Sequence, residues 1–193
     1  MRDRGRRLPL IALGAFGAAI ALTLVGNSVY QTSGSIFEFG GSPAVTVSLQ
    51  GSDLPPGMTR CPVSGRPQGG YTPPYGATDV WTVVYADKCN LPPARRYAFS
   101  WVLEFKSETA AVAAYKAFVG SQDCTIAHGC VGGLGPNSDV NCGSPQISTP
   151  DIGSCLGTWQ RNAFMVTFQG IMGPDEGIKA VRSIDARALS SRP

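Results

Sequence analysis

The sequence has one histidine, His128, and only 15% charged residues. A Ser-His-Asp or Cys-His mechanism would have to use that histidine. It stands in a short stretch between Cys124 and Cys130, a poor place to hold a general base. The nucleophile elbow G-x-S-x-G is missing, and so is the C-x-x-C pair of thioredoxin-type redox proteins. The glycine run Gly132-Gly133-Leu134-Gly135 lacks the Lys-Ser/Thr of a phosphate loop and reads as a turn. Carboxylates are sparse: Asp123, Asp139 and Asp151 fall in loop-like stretches and Asp87 at a strand end. No spacing pairs them as a glycosidase pair would be. These absences leave two function classes, a non-catalytic binding or accessory protein and an enzyme whose site is dispersed in sequence.

The net charge of +3 is equally local. Arg2, Arg4, Arg6 and Arg7 against Asp3 account for all of it, so the rest of the chain is neutral. A neutral domain has no general attraction for phosphate backbones, and no nucleic-acid partner is expected. The basic tip, residues 1–7, precedes Leu8 to Gly26, LPLIALGAFGAAIALTLVG, which carries no charge. As a helix this run spans about 28 Å, close to the ~30 Å hydrocarbon core of a bilayer. Positive charge stays on the cytoplasmic side, so the reading is a single-pass signal-anchor with the N-terminus in and the remainder outside. The competing reading is a cleaved signal peptide, which would release a secreted protein. The run is long for that, and its best cleavage site, Gly26-Asn27-Ser28, is weak. Small residues at Gly14 and Ala18, and at Ala15 and Ala19, have the spacing that lets helices approach in lipid.

Residues 27–43 read as a linker punctuated by Ser, Gly and Pro. Residues 44–193 have the size of one extracytoplasmic domain. Val45 to Leu49 alternates and predicts a first strand. A long proline-rich loop follows, from Gly51 to Thr78. Val80 to Ala86 and Tyr97 to Phe105 are strong strand candidates, the second with Tyr97, Phe99, Trp101, Leu103 and Phe105 on one face. Ser107 caps a helix running to Val119, which Gly120 ends. Residues 121–158 read as a glycine-rich excursion. Ala163 to Gly170 is a strand, and Pro174 with Asp175 and Glu176 opens a last helix with the stripe Ile178, Val181, Ile184 and Ala188. The expected class is α+β: a mostly antiparallel sheet with two helices on one face, preceded by one N-terminal transmembrane helix.

Six cysteines, Cys61, Cys89, Cys124, Cys130, Cys142 and Cys155, all lie beyond the anchor. An even count in an exported domain reads as three disulfides, with fifteen pairings open to sequence. A sequential pattern is expected: Cys61–Cys89, Cys124–Cys130 and Cys142–Cys155. The alternative is a metal site at Cys124, His128 and Cys130, but C-x3-H-x-C matches no standard zinc spacing. No metal and no cofactor are expected. Trp81, Trp101 and Trp159 read as core. Tyr71, Pro73, Pro74 and Tyr75 put two aromatics on a stiff loop and form a candidate contact surface.

Three stretches carry a resemblance. They are Ser-Asp-Leu-Pro-Pro-Gly-Met at 52–58, FKSETAAVAAYKAF at 105–118, and Trp159-Gln-Arg-Asn-Ala-Phe-Met-Val before a final helix. Together they resemble exported, membrane-anchored domains of high-GC bacteria, both sensor-like and lipoprotein-like, including those outside receptor kinases. The resemblance implies no functional residues. The tether, the cysteine-stapled domain and the lack of a catalytic constellation lead to the expectation of a non-catalytic binding or accessory protein that contacts an envelope ligand or a membrane-protein partner. The alternative is an envelope hydrolase with a dispersed site.

Overall fold

The computed structural model describes residues 42–67, 71–89, 96–120, 130–143 and 153–191. The expected transmembrane segment 8–26, most of the linker, Cys124, His128, Asp123 and Asp151 lie outside the described residues. Among the described residues, no helix is long and apolar enough to cross a membrane.

The chain opens with a short helix, α1 (Pro43–Val47). Sequence periodicity predicted a strand over Val45 to Leu49, and the structure corrects it. Ser42 caps the helix by accepting a hydrogen bond from the Ala44 N–H at 3.2 Å, and Pro43 occupies the first helical position. A cap followed by proline is a helix-start signal, and here it overrides the β-propensity of Val45 and Val47. The long loop that follows holds a two-residue strand, β1 (Thr59–Arg60), and two 3-10 turns, Gly51–Asp53 and Pro74–Gly76.

Then come β2 (Asp79–Ala86), β3 (Tyr97–Glu104) and α2 (Glu108–Val119). The helix starts as expected: Ser107 Oγ accepts from the Ala110 N–H, and Gly120 ends it at φ +73°. Two strands, β4 (Ser138–Gly143) and β5 (Gly153–Arg161), lie wholly or largely in the stretch 121–158 read as a glycine-rich excursion. Glycine, serine and asparagine hide them from propensity, and pairing with β6 (Phe164–Met172) supplies what the side chains do not. The last helix, α3 (Pro174–Ser190), buries Val181, Ile184 and Ala188 of the expected stripe. Ile178 is only partly buried.

The six strands of the described residues form one antiparallel sheet in the order β1-β2-β3-β6-β5-β4. Residues directly opposite on paired strands share a face. Val102, Val166, Trp159 and Trp81 share the face that packs on α1 and α3. Leu103, Met165 and Val80 share the other, which packs on Ala111, Ala114 and Tyr115 of α2. The expected placement of both long helices on one face is therefore corrected: α2 and α3 flank opposite faces. With cover on both sides, β3 needs no polar face. Its small residues Ala98, Ser100 and Val102 are completely buried, while Tyr97, Phe99 and Trp101 are half-buried.

Cys61 pairs with Cys89 and Cys142 with Cys155, two of the three expected bridges. Cys130 is also disulfide-bonded. A bridge of this kind stabilises by about 3 kcal/mol, mainly by restricting the unfolded chain. Cys142 and Cys155 face each other across β4 and β5 beneath α3, where Gly177 packs on the bridge. A Cβ at Gly177 would lie 2.8 Å from Cys155 Cβ.

The start of the domain is fastened to its last helix. The Arg187 guanidinium forms a two-pronged ion pair with Asp53, at 3.0 and 2.6 Å, and donates to the Ser48 carbonyl at 2.9 Å. Asp53 is buried and also accepts from the Gln50 N–H at 2.9 Å.

Two stability measurements test this account. Gly177→Ala should lose about 1–3 kcal/mol in urea unfolding, the usual cost of overpacking a filled site. Arg187→Ala should lose about 3 kcal/mol or more, because it strands a buried carboxylate; a loss near zero would mean the clamp is ornamental.

Candidate functional site

The end of the sheet where β2 begins and β3 finishes carries a group of polar side chains. Asp79 and Glu104 are directly opposite each other in the register. Above them, Ser42 at the cap of α1 donates its hydroxyl to Asp79 and lies 3.5 Å from Glu104 Oε2. From the proline-rich loop, Arg66 reaches back to Asp79 with two hydrogen bonds of 3.0 and 2.9 Å. Arg66, Pro67, Tyr71 and Pro73 form one wall of a cleft of about 570 Å³, with Asp79 and Glu104 on its floor.

The two carboxylates sit in different fields. Burial alone would raise the Asp79 pKa. Hydrogen bonds from Arg66, Ser42 and the Val80 N–H, with the charge of Arg66, outweigh burial and hold Asp79 below its ordinary value. Glu104 is raised, first by burial and then by the charge of Asp79. A hydrogen bond from the Ala44 N–H, the Ser42 hydroxyl and the Arg66 charge offset this only in part. The pair is thus one firmly ionised carboxylate beside one that holds its proton more tightly.

The four residues of the predicted contact surface divide. Tyr71 and Pro73 line the cleft. Pro74 and Tyr75 turn away into a 3-10 turn, where Tyr75 adopts φ +56° and meets Phe118 of α2 edge-on at 5.8 Å. Tyr75 is 47% and Phe118 41% exposed. A positive φ is uncommon for an aromatic residue and is retained where surrounding contacts fix it. Sequence reasoning missed Ser42, Arg66, Asp79 and Glu104. The pairing of Asp79 with Glu104 depends on strand register, and Arg66 reaches them through a loop fold that periodicity does not encode.

Of the other carboxylates considered, Asp139 stands on β4 with its pKa raised by burial, and Asp87 lies just past β2 with one oxygen buried and unbonded. The cleft contains neither. Among the described residues, no group of three or more His, Cys, Asp or Glu side chains gathers to hold a metal. The bridged state of Cys130 removes it as a thiolate ligand for the Cys124/His128 site considered above. Trp81 and Trp159 are buried, as expected of core residues. Trp101 is half-buried and packs against the core cluster on the α2 side, its ring centroid 6.4 Å from that of Phe118.

No family model and no curated protein matches the chain. Among solved structures, the fold is similar to the extracellular domain of PknH from Mycobacterium tuberculosis, with 12% identity and a TM-score of 0.47 over 76% of this chain and 93% of that one.

The raised Glu104 pKa has a definite sign in stability. A carboxyl raised in the folded state favours folding while protonated, and that contribution is lost as pH rises through the folded pKa. Glu104→Gln should therefore raise the melting temperature at pH 7. The gain should vanish below about pH 4, where an unperturbed glutamate is itself protonated. A gain that persists unchanged in acid would assign the effect to something other than ionisation.

Proposed function

We propose that the chain is a membrane-anchored extracytoplasmic binding or accessory protein, non-catalytic, which meets an envelope ligand or a membrane-protein partner at the Tyr71–Glu104 cleft. Disulfides between Cys61 and Cys89 and between Cys142 and Cys155 support an oxidising compartment. The uncharged run 8–26 behind four arginines supplies the tether, with the N-terminus in the cytoplasm.

The observation that carries the non-catalytic reading is how the carboxylates are engaged. Asp79 is held by Arg66 and Ser42, and Glu104 by Ser42 and the Ala44 backbone. Their polar capacity fixes α1 to the sheet. What the cleft offers a visitor is a wall of tyrosine and proline over a floor of compensated charge, a surface for recognition.

One observation favours the second reading, an envelope hydrolase. Asp79 and Glu104 are adjacent carboxylates whose surroundings push their pKa values apart, the pattern of an acid and base pair. On that reading Glu104 is the proton donor and Asp79 the ionised partner. Turnover of an envelope polymer that disappears in both Asp79→Asn and Glu104→Gln would select it.

The tether and the cleft are tested together in intact cells. The full chain should stay with membranes after alkaline carbonate extraction, and its domain should be digested by protease added outside. A photo-crosslinking residue in place of Tyr71 should capture a discrete partner that the same residue at exposed Leu189 does not. Soluble recovery would overturn the anchor, and identical products from both positions would overturn the contact site.

A further inference from the structure

The charge on the floor of the Tyr71–Glu104 cleft is compensated unevenly. Asp79 receives two N–H groups of Arg66, at 3.0 and 2.9 Å, the Ser42 hydroxyl and the Val80 N–H. Glu104 receives much less. A serine hydroxyl has one proton to give. Ser42 gives it to Asp79, so its contact with Glu104 Oε2, at 3.5 Å, leaves that oxygen short of a donor. The Ala44 N–H that bonds Glu104 is divided with Ser42 Oγ, at 3.2 Å. Among the described residues, no cation stands within ion-pair distance of Glu104. An ionised carboxylate can accept at about four positions. Glu104 therefore meets the cleft with acceptor capacity and negative charge to spare.

A carboxylate by itself does not choose among cations; the wall of the cleft does. A hard metal ion wants a shell of about six or more oxygen ligands, and here Asp79 is already taken up by Arg66. The wall is apolar instead: Pro43, Pro67, Tyr71 and Pro73 present ring carbons, and Tyr71 is 43% exposed. A lysine or arginine side chain matches both parts. Its alkyl stem lies along apolar surface while its charged head reaches a polar partner, and a tyrosine face adds attraction for the cation. An aminosugar ammonium sits directly on a hydroxylated ring and has no stem. A zwitterionic amino-acid end would bring its own carboxylate to two others. An anion would have to displace Asp79 from Arg66.

We infer that the cleft receives a basic side chain, lysine or arginine, from an exposed segment of a partner protein, with the charged head on Glu104 and the stem along the tyrosine and proline wall. The inference rests on the cleft being the contact site, and it narrows the visitor there to a protein. The raised pKa of Glu104 agrees with it: burial and the Asp79 charge disfavour an ionised form that a bound cation would complete.

The test passes the full chain, in nonionic detergent, over immobilised peptides that differ at one position: lysine, arginine, Nε-acetyl-lysine or glutamate. We expect retention by the lysine or arginine peptide and retention about tenfold weaker or less on the other two. Glu104→Gln keeps the shape of the side chain and should weaken retention about tenfold, and Tyr71→Ala about threefold. Asp175→Asn, at an exposed carboxylate outside the cleft, should change nothing. Retention should also fall between about pH 7 and pH 4 as Glu104 takes a proton, and Glu104→Gln should remove that dependence. Of the groups facing Glu104, Asp79 on β2 is held ionised, Arg66 stays charged, Tyr71 stays neutral, and α1 brings no titratable side chain. Equal retention on lysine and acetyl-lysine, or retention unchanged in Glu104→Gln, would overturn the inference. In cells, capture by a photo-crosslinking residue in place of Tyr71 should be lost when Glu104→Gln is added. Capture that persists would overturn the basic side chain and leave the contact site standing. Capture of no discrete partner by either chain would overturn the contact site, and this inference with it.

Discussion

The Arg187–Asp53 ion pair is the tie on which the arrangement of the rest depends. It joins α3 to the turn after α1, with 134 residues of sequence between the partners. Further ties add to the fastening. Arg187 donates to the Ser48 carbonyl, the Leu49 N–H donates to buried Ser100, and Asp53 accepts from Gln50. A five-residue helix has little stability of its own. Held this way, α1 covers the sheet and sets Ser42 above Asp79 and Glu104. The cleft thus draws on the far end of the chain: without the C-terminal helix, α1 would keep only its ties to the sheet.

The two faces of the sheet are organised on different terms. One is closed by α1 and α3 over Val102, Val166 and Trp159, and β3 contributes to it the small residues Ala98, Ser100 and Val102. Arg161 crosses from β5 to α3 and binds Asp185 through two contacts of 2.8 Å, closing one end of that layer. The other face is covered by α2 over only part of its area, and the largest rings of β3 lie at the margin of that cover. Burial therefore runs opposite to residue size along β3.

What could be recognised in the sequence follows physical locality. Helix α2 was clear because cap, stripe and terminating glycine all lie within fourteen residues. Strands β2, β3 and β6 were clear from β-branched and aromatic content. Strands β4 and β5 were missed because their stability comes from partners rather than from their own side chains. The 43–47 segment was misjudged because alternation was weighed above a Ser-Pro start. In the cleft, Tyr71 and Pro73 stood out as an unusual loop composition. Ser42, Arg66, Asp79 and Glu104 did not, since each is unremarkable until register brings it to the others. Helices on opposite faces could not be foreseen either: β3 alternates large and small apolar residues, and both sets are compatible with a core.

The sheet's two margins bear on behaviour at high density. An open strand edge is a template for pairing with another copy. On one side, β1 pairs with β2 for only two residues, and the chain then returns to form a Gly65–Thr82 bridge, with the Cys61–Cys89 link fixing the turn. On the other, Cys130 bridges to Asn141 alongside β4. Each margin is thus partly covered by disulfide-fastened chain of the same molecule. The consequence is resistance to self-templating: the ladder left open on either side is short, so strand-to-strand assembly between copies has little to begin on.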